Sequence, residues 1–359
     1  MQIIDADTHI DETDATWEYM REEELEFKPS TAYPAKLDPT RPPIRYWMID
    51  GQRHLRFTRD DKRTCTTVET RELLDVRARL RAMDEMGTQV QVIYPTLFIA
   101  EVTQRSEVSL ALRRSYNRWL ANRCAESGGR LRWVCLPPLM TMDEALEELR
   151  LAKDHGACGV MKKGDLEAGK WPADPYFFPL YEEAERLDMP ICIHTGTGTP
   201  DRPSMKDVSL GQFMRSQLPA VHAFQTLIRH EVPVKFPKLR FGIVEANSSW
   251  IPYAAYELKR RLKRLGGVST FGTAQYKFQT ELLKVNRMYV TCQVDEDLAA
   301  IMKFAGEDNL MIGSDYTHAD QSMEHDFPRL LQERADQGDV PQSAVKKILY
   351  DNAKTFYGL

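Results

Sequence analysis

Short apolar runs alternate along this chain with longer stretches in which apolar residues recur at helical spacing. The first pattern predicts buried strands, the second amphipathic helices packed on them. Runs of the strand type are "QIID" near the N-terminus, 89–95, "LRWVCLP" at 131–137, "CGVMKK" at 158–163, "PICIHTG" at 190–196, "LRFGIVEA" at 239–246, "RMYVTCQ" at 287–293 and "NLMIGSD" at 309–315. Helical patterns occupy 70–87, 104–127, 141–155, 174–188, 216–231, 249–264 and 295–305, and a final helical region covers 323–356. Strands alternating with helices build βαβ units and a parallel sheet. Eight such units predict an α/β fold of the (β/α)8 TIM-barrel type. An open doubly wound sheet is the alternative, but no Gly-rich dinucleotide turn follows the first run.

Three connections exceed the usual short loop: 12–69 and 196–215, which follow the first and fifth strands, and 265–286, which precedes the seventh. Connections of this length are expected as lids or oligomer contacts, a homodimer being one form the latter takes. The chain reads as one domain over 1–359, with 12–69 as an insertion.

Composition narrows the partners. With 359 residues, 42 % hydrophobic and 28 % charged, the chain can fill a barrel core. A formal net charge of −5 with interspersed signs gives no reason to expect nucleic acid or an anionic membrane. The six cysteines form no CxxC pair, and Cys135, Cys158, Cys192 and Cys292 lie in strand-type runs. They are expected as small core residues of a reduced, cytoplasmic protein. No signal-peptide pattern opens the chain and no long apolar run is present.

The chemistry gathers where the strands end. The first run leads into Asp5, Asp7, His9 and Glu12; the fourth ends in Lys162 and Lys163, the fifth in His194, the sixth in Glu245 and Asn247, and the eighth in Asp315, with His318 just beyond. In a (β/α)8 barrel these ends converge on one face, where active sites lie. Asp5 alone could cap a turn, and His194 alone could be a satisfied core histidine. Glu245 after "FGIV" and Asp315 after "LMIGS" are harder to place without a partner, because acids are almost never buried unpaired. Together the imidazoles and carboxylates predict a metal site. A non-catalytic barrel is disfavoured, since like charges held together raise each other's pKa.

"DADTHIDE", "HTGTG", "VEANSSWIPY", "GSDYTH" and "ILYDNAKTFYGL" occur in that order. On these motifs the chain resembles the amidohydrolase superfamily, in the branch that contains the nonoxidative decarboxylases. Two departures stand out. Asp7-Thr8-His9 takes the place of the usual first-strand HxH, and Glu245 takes the place of the sixth-strand histidine typical of the decarboxylases. Glu12 and His318 add ligand capacity beyond one tetrahedral zinc. The set is similar to that of the barrel-fold non-heme diiron monooxygenases, a smaller group whose known example hydroxylates a diterpenoid coenzyme A thioester in platensimycin and platensin biosynthesis.

That resemblance implies two Fe ions held by Asp7, His9, Glu12, His194, Glu245, Asp315 and His318, with Glu245, Asp315 and His318 in the chemistry. It further implies O2 as co-substrate, an electron donor, and an apolar CoA-linked small molecule contacted by Lys162, Asn247, Trp250 and Phe98. "YPTLFIAEV" at 94–102, with Trp250 and Phe213, could line the apolar pocket, although barrel-top packing explains these residues equally well. The basic run "YELKRRLKRLGG" at 256–267 could receive coenzyme A phosphates, although a solvated helix face is the plainer reading. The competing expectation is a mononuclear Zn or Mn hydrolase or nonoxidative decarboxylase. In it Asp315 is ligand or general base, and His318 replaces the missing sixth-strand imidazole.

Overall fold

The computed structural model describes residues 2–34, 45–56, 59–196, 212–264 and 281–359. β1 (Ile4–Ile10) alternates Ile4, Ala6, Thr8 and Ile10 with Asp5, Asp7 and His9, and every one of these residues is buried. The apolar run alone would end this strand at Asp5. The period-two alternation carries it on to Ile10, so the acidic and imidazole side chains lie within the strand.

The insertion that follows, expected as a lid or oligomer contact, holds regular structure of its own. β2 (Ser30–Ala32), β3 (Arg45–Ile49) and β4 (Gln52–Arg56) form a three-stranded antiparallel sheet. Asp50 and Gly51, with φ of 49° and 73°, make the turn between β3 and β4. An Asp-Gly pair at positive φ is the favoured two-residue hairpin turn, because its twist matches that of the strands.

The remaining strands are β5 (Val90–Pro95), β6 (Leu131–Cys135), β7 (Ala157–Lys163), β8 (Ile191–His194), β9 (Phe241–Val244), β10 (Met288–Cys292) and β11 (Leu310–Ile312). With β1 they make an eight-stranded sheet in the order β1-β5-β6-β7-β8-β9-β10-β11, all neighbours parallel. The chain beyond β11 returns to β1: the Asp315 N–H donates to Asp7 O at 3.0 Å and the His9 N–H to Tyr316 O at 2.9 Å. This is the expected (β/α)8 barrel. Helices at Val76–Glu85, Ser106–Ala125, Met142–Asp154, Phe178–Arg186, Gln217–Arg229, Ile251–Arg264, Leu298–Ala305 and Phe327–Asp336 surround it.

The C-terminal segment closes the structure from inside. Tyr357 donates its hydroxyl to Ala6 O on β1 and meets Tyr94 OH of β5, both at 2.7 Å. The apolar cysteines expected in the core are buried and free. No helix among the described residues is long and apolar enough to cross a membrane. The lid expected at 196–215 and the connection at 265–286 fall largely outside the described residues. Of the basic run, Arg260 and Arg261 pair with Glu257 one turn back, as on a solvated helix face.

Candidate metal centre

Four strand ends position the site. Asp7 and His9 stand two apart on β1 and therefore share a face. His194 ends β8, Glu245 follows β9, and Asp315 and His318 follow β11. Glu245, Asn247 and Asp315 have φ of 56°, 57° and 53°. Left-handed backbone at a residue with a Cβ costs on the order of 1–2 kcal/mol, so these turns persist only because their surroundings hold them. The Glu245 N–H is held by Thr291 Oγ1 at 2.8 Å.

Two overlapping groups result, Asp7–His9–His194–Glu245 and His9–Glu245–Asp315–His318. In each group, one potential ligand atom per residue lies within 4.8 Å of all the others, and every member is buried. His9 Nε2 is 3.5 Å from Asp7 Oδ1, 3.7 Å from Glu245 Oε2 and 3.4 Å from Asp315 Oδ1. His194 Nε2 is 3.5 Å from Asp7 Oδ1 and 3.3 Å from Glu245 Oε2. None of these approaches is aligned as a hydrogen bond: Asp7 Oδ1, His9 Nε2, His194 Nε2, Glu245 Oε2, both Asp315 oxygens and His318 Nδ1 are buried without a hydrogen-bond partner. Buried polar atoms are otherwise almost always paired. A cation satisfies the atoms of Asp7, His9, His194, Glu245 and Asp315 at once, so these residues fit a metal, while His318 Nδ1 faces Asp315 Oδ1.

The surroundings prepare the imidazoles as ligands. His9 Nδ1 lies 2.9 Å from Pro95 O and His194 Nδ1 3.0 Å from Thr195 O. A ring N–H donated to a carbonyl at Nδ1 leaves the Nε2 lone pair facing the centre. His318 is turned the other way, with Nε2 at 3.2 Å from Thr96 Oγ1 and Nδ1 at 2.7 Å from Asp315 Oδ1. Its ring stacks on that of His9 at 3.9 Å between centroids.

Electrostatics point the same way. Burial, with the charge of Asp7 behind it, pushes Glu245 well above the usual carboxylate range. Burial and Glu245 do the same to Asp315. Burial lowers His9, and burial with the neighbouring His9 lowers His318 further, so both favour the neutral ring. For Asp7, burial opposes charge, but the His194 and His9 imidazoles outweigh it and hold the carboxyl low. Three carboxylates this close cannot all ionise without a positive partner.

The other expected site residues are placed differently. Glu12 belongs to neither group. Its two carboxylate oxygens accept the Thr96 N–H at 3.1 Å and the Leu97 N–H at 2.9 Å, tying the end of β1 to the turn after β5. Burial, moderated by these amides, pushes its pKa up to about 8. Glu12→Gln leaves one of those amides facing an NH2 group, at a cost of about 1–3 kcal/mol. The expected result is a lower melting temperature with wild-type metal content; metal lost in proportion to Glu12→Gln substitution would restore Glu12 as a ligand.

Lys162 lies on the helix side of β7, its Nζ 2.8 Å from Glu167 Oε2 and 3.7 Å above the Phe177 ring centroid. Lys163 is in register with His194, so alternation turns it to the inner side instead. Its ammonium is 3.3 Å from Glu101, which Arg113 also holds at 2.9 Å. Phe98 is buried edge-on between Trp17 and Tyr116. Trp250 donates its indole N–H to Asn247 O at 2.8 Å and packs on Phe224, while Phe213 is exposed. The sequence reading passed over Thr96, Glu101 and Glu296; the first two lie in the quoted "YPTLFIAEV", where their polarity inside an apolar run was the available signal.

A closed parallel barrel with carboxylates and imidazoles converging at its strand ends defines a metal-dependent barrel enzyme. The chain belongs to the amidohydrolase family, whose sequence profile matches residues 4–359. A gamma-resorcylate decarboxylase from Rhodococcus jostii (strain RHA1) is 26 % identical over 244 residues, spanning 59 % of this chain and 72 % of that protein. An amidohydrolase structure from Mycobacterium avium subsp. paratuberculosis K-10 has a TM-score of 0.76 at 17 % identity, over 99 % of both chains. The 2,6-dihydroxybenzoate decarboxylase structure from Rhizobium has a TM-score of 0.65 at 16 % identity, over 100 % of this chain and 99 % of that one.

These findings overturn the expectation of an oxidoreductase. The curated relatives are decarboxylases and the structural neighbours include decarboxylases, amidohydrolases and a hydratase; none of these supports a diiron monooxygenase, O2, a diterpenoid or an acyl-CoA substrate. The expectation leaned on the count of acidic ligands. Glu12, one of the acids counted, lies in neither group and accepts two backbone amides.

Proposed function

We propose that this chain is a metal-dependent nonoxidative decarboxylase of a hydroxylated aromatic acid, of the resorcylate or dihydroxybenzoate type. The observation that carries the reading is the His318–Asp315 pair beside the convergent ligand atoms, with His318 backed by the Thr96 hydroxyl. The names of the relatives support it.

Asp7, His9, His194, Glu245 and Asp315 would hold a divalent cation, which would supply Lewis acidity and a fixed positive charge. The protein supplies the rest. As the bond between ring and carboxylate breaks, CO2 leaves and the electron pair stays on the ring carbon, which then needs a proton. As the neutral imidazole of His318 gives its Nδ1 proton to the ring carbon, Nε2 takes the Thr96 hydroxyl proton, so the ring stays neutral, and a solvent water then returns a proton to Thr96 Oγ1. Lys163 adds positive charge on the inner side of β7, and Asn247 and Trp250 border the substrate at the end of β9.

A second reading, a metal-dependent hydrolase, is favoured by Glu245, which on the resemblance stated above takes the place of the sixth-strand histidine typical of the decarboxylases. In it Asp315 is the general base. The two separate on the product. Metal-loaded protein incubated with 2,6-dihydroxybenzoate and its isomers is expected to release CO2 and the matching phenol one for one. His318→Gln is expected to keep the metal and lose at least about 100-fold in rate. Absence of CO2 from every hydroxybenzoate, with hydrolysis of an ester, lactone or amide, replaces the first reading by the second.

A further inference from the structure

The turn that carries Glu245 is fastened from the neighbouring strand by one carboxylate. Glu296, in the loop after β10, accepts the Ser248 N–H at 2.9 Å, the Ser249 N–H at 2.6 Å and the Gln293 N–H at 2.9 Å. It also accepts the Ser248 hydroxyl at 2.7 Å and the Ser249 hydroxyl at 2.6 Å. Five donors use up the acceptor capacity of a carboxylate. Nothing is left over for a ligand, and Glu296 belongs to neither metal-binding group.

What this clasp holds is informative. Glu245 and Asn247 both have left-handed backbone, and no glycine relieves either. A turn of this kind relaxes toward ordinary backbone unless it is held at both ends. Thr291 on β10 holds the first end through the Glu245 N–H, and Glu296 holds the second through Ser248 and Ser249. Both clasps come from the same neighbouring strand and its loop. The position of the Glu245 carboxylate is therefore set by β10 as much as by its own strand.

We infer that Glu296 is a positioning residue that sets the metal affinity of the centre by fixing the 245–249 turn, an inference that rests on Glu245 being a ligand. Glu296→Gln removes the charge and turns an NH2 group toward the serine donors. Partners one shell out from a metal are typically worth 10–100-fold in affinity, so a loss of about that size is expected for zinc(II), read by competition with a chromophoric chelator. Ser249→Ala removes one contact, that of the hydroxyl, and keeps the backbone amide, so it is expected to lose only a few-fold.

Melting curves separate positioning from general support. If Glu296 only stabilises the fold, Glu296→Gln lowers the melting temperature equally with and without zinc(II). If it positions Glu245, the rise produced by a fixed zinc(II) concentration shrinks, because that rise follows the ratio of metal to Kd. Glu245→Gln is measured alongside. Weak zinc(II) binding in Glu245→Gln with wild-type affinity in Glu296→Gln and Ser249→Ala overturns the positioning role alone. Wild-type affinity in Glu245→Gln overturns the ligand reading beneath it. Should Glu296→Gln fail to fold, Ser249→Ala decides: an unchanged affinity there overturns the inference.

Discussion

His194→Ala purifies as a folded barrel that holds less than about one-tenth of the wild-type metal and turns over at least about 1000-fold more slowly, a loss of roughly 4 kcal/mol of transition-state stabilisation. His194 is fully buried at the end of β8, and its Nε2 is among the convergent atoms without a hydrogen-bond partner. Removing it leaves Asp7 and Glu245 facing each other with one fewer neutral ligand between them. Among the described residues its side chain hydrogen-bonds only the carbonyl of the adjacent Thr195, and the backbone pairing of β8 is unaffected, so the strand itself loses little. Metal per chain by elemental analysis, together with far-UV circular dichroism, checks both halves. Wild-type metal content in the folded variant removes His194 from the ligand set.

The barrel was legible because its signals are local. Each of the eight core strands is an apolar run bounded by helical patterns, and a parallel sheet buried on both faces needs nothing subtler. What was misread lay where side-chain chemistry runs against the apolar signal. β1 was expected to end at Asp5, yet Asp5 sits in the strand with one oxygen accepting the Ser314 N–H and the other accepting the Ser314 hydroxyl and the Gln91 amide. Burial, moderated by the Ser314 hydrogen bonds, raises its pKa to about 7. Those partners are remote in sequence and cannot be paired by pattern. The β3–β4 hairpin was a different miss, since Asp50-Gly51 between two alternating segments is a local signal that the surrounding prolines obscured.

The site shows the same division. Asp7, His9, His194, Glu245, Asp315 and His318 stand out as ligand-type residues at strand ends, and the structure brings them together. Glu12 satisfies the same rule and yet faces backbone amides, because spacing along a loop carries no direction. Lys162 and Lys163 are adjacent and chemically alike; only the register of β7 with β8 decides which faces inward. The reaction was least legible. The inventory of acids and imidazoles suited iron, and oxygen came only from the resemblance, whereas the Thr96–His318 contact on which the proposed proton route rests joins residues 222 positions apart.

Gly313 makes the second large prediction, and it concerns a residue with no chemistry of its own. It follows β11, where the chain crosses closest to β1. A Cβ there would lie 2.4 Å from Asp7 Cβ, 2.7 Å from Asp7 N and 2.9 Å from Asp7 Cα. Backbone cannot step aside as a side-chain tip can, so in Gly313→Ala the strands must part by roughly 1 Å at the level of the first ligand. The contacts that close the barrel are within two residues: Ser314 N–H to Asp5 at 2.8 Å and Asp315 N–H to Asp7 O at 3.0 Å. Overpacking of this kind costs about 1–3 kcal/mol. The displacement separates Asp7 from Asp315, and a misplacement of about 1 Å in a preorganised site is worth about 100-fold. Gly242→Ala provides the comparison, because its Cβ would meet Phe356 Cζ at 2.4 Å, a ring of the C-terminal helix and not a ligand strand. Both variants are expected to melt below wild type, but only Gly313→Ala is expected to lose zinc(II) affinity by about 100-fold. If Gly313→Ala binds zinc(II) like wild type, the closure of β11 on β1 does not set the geometry of the centre.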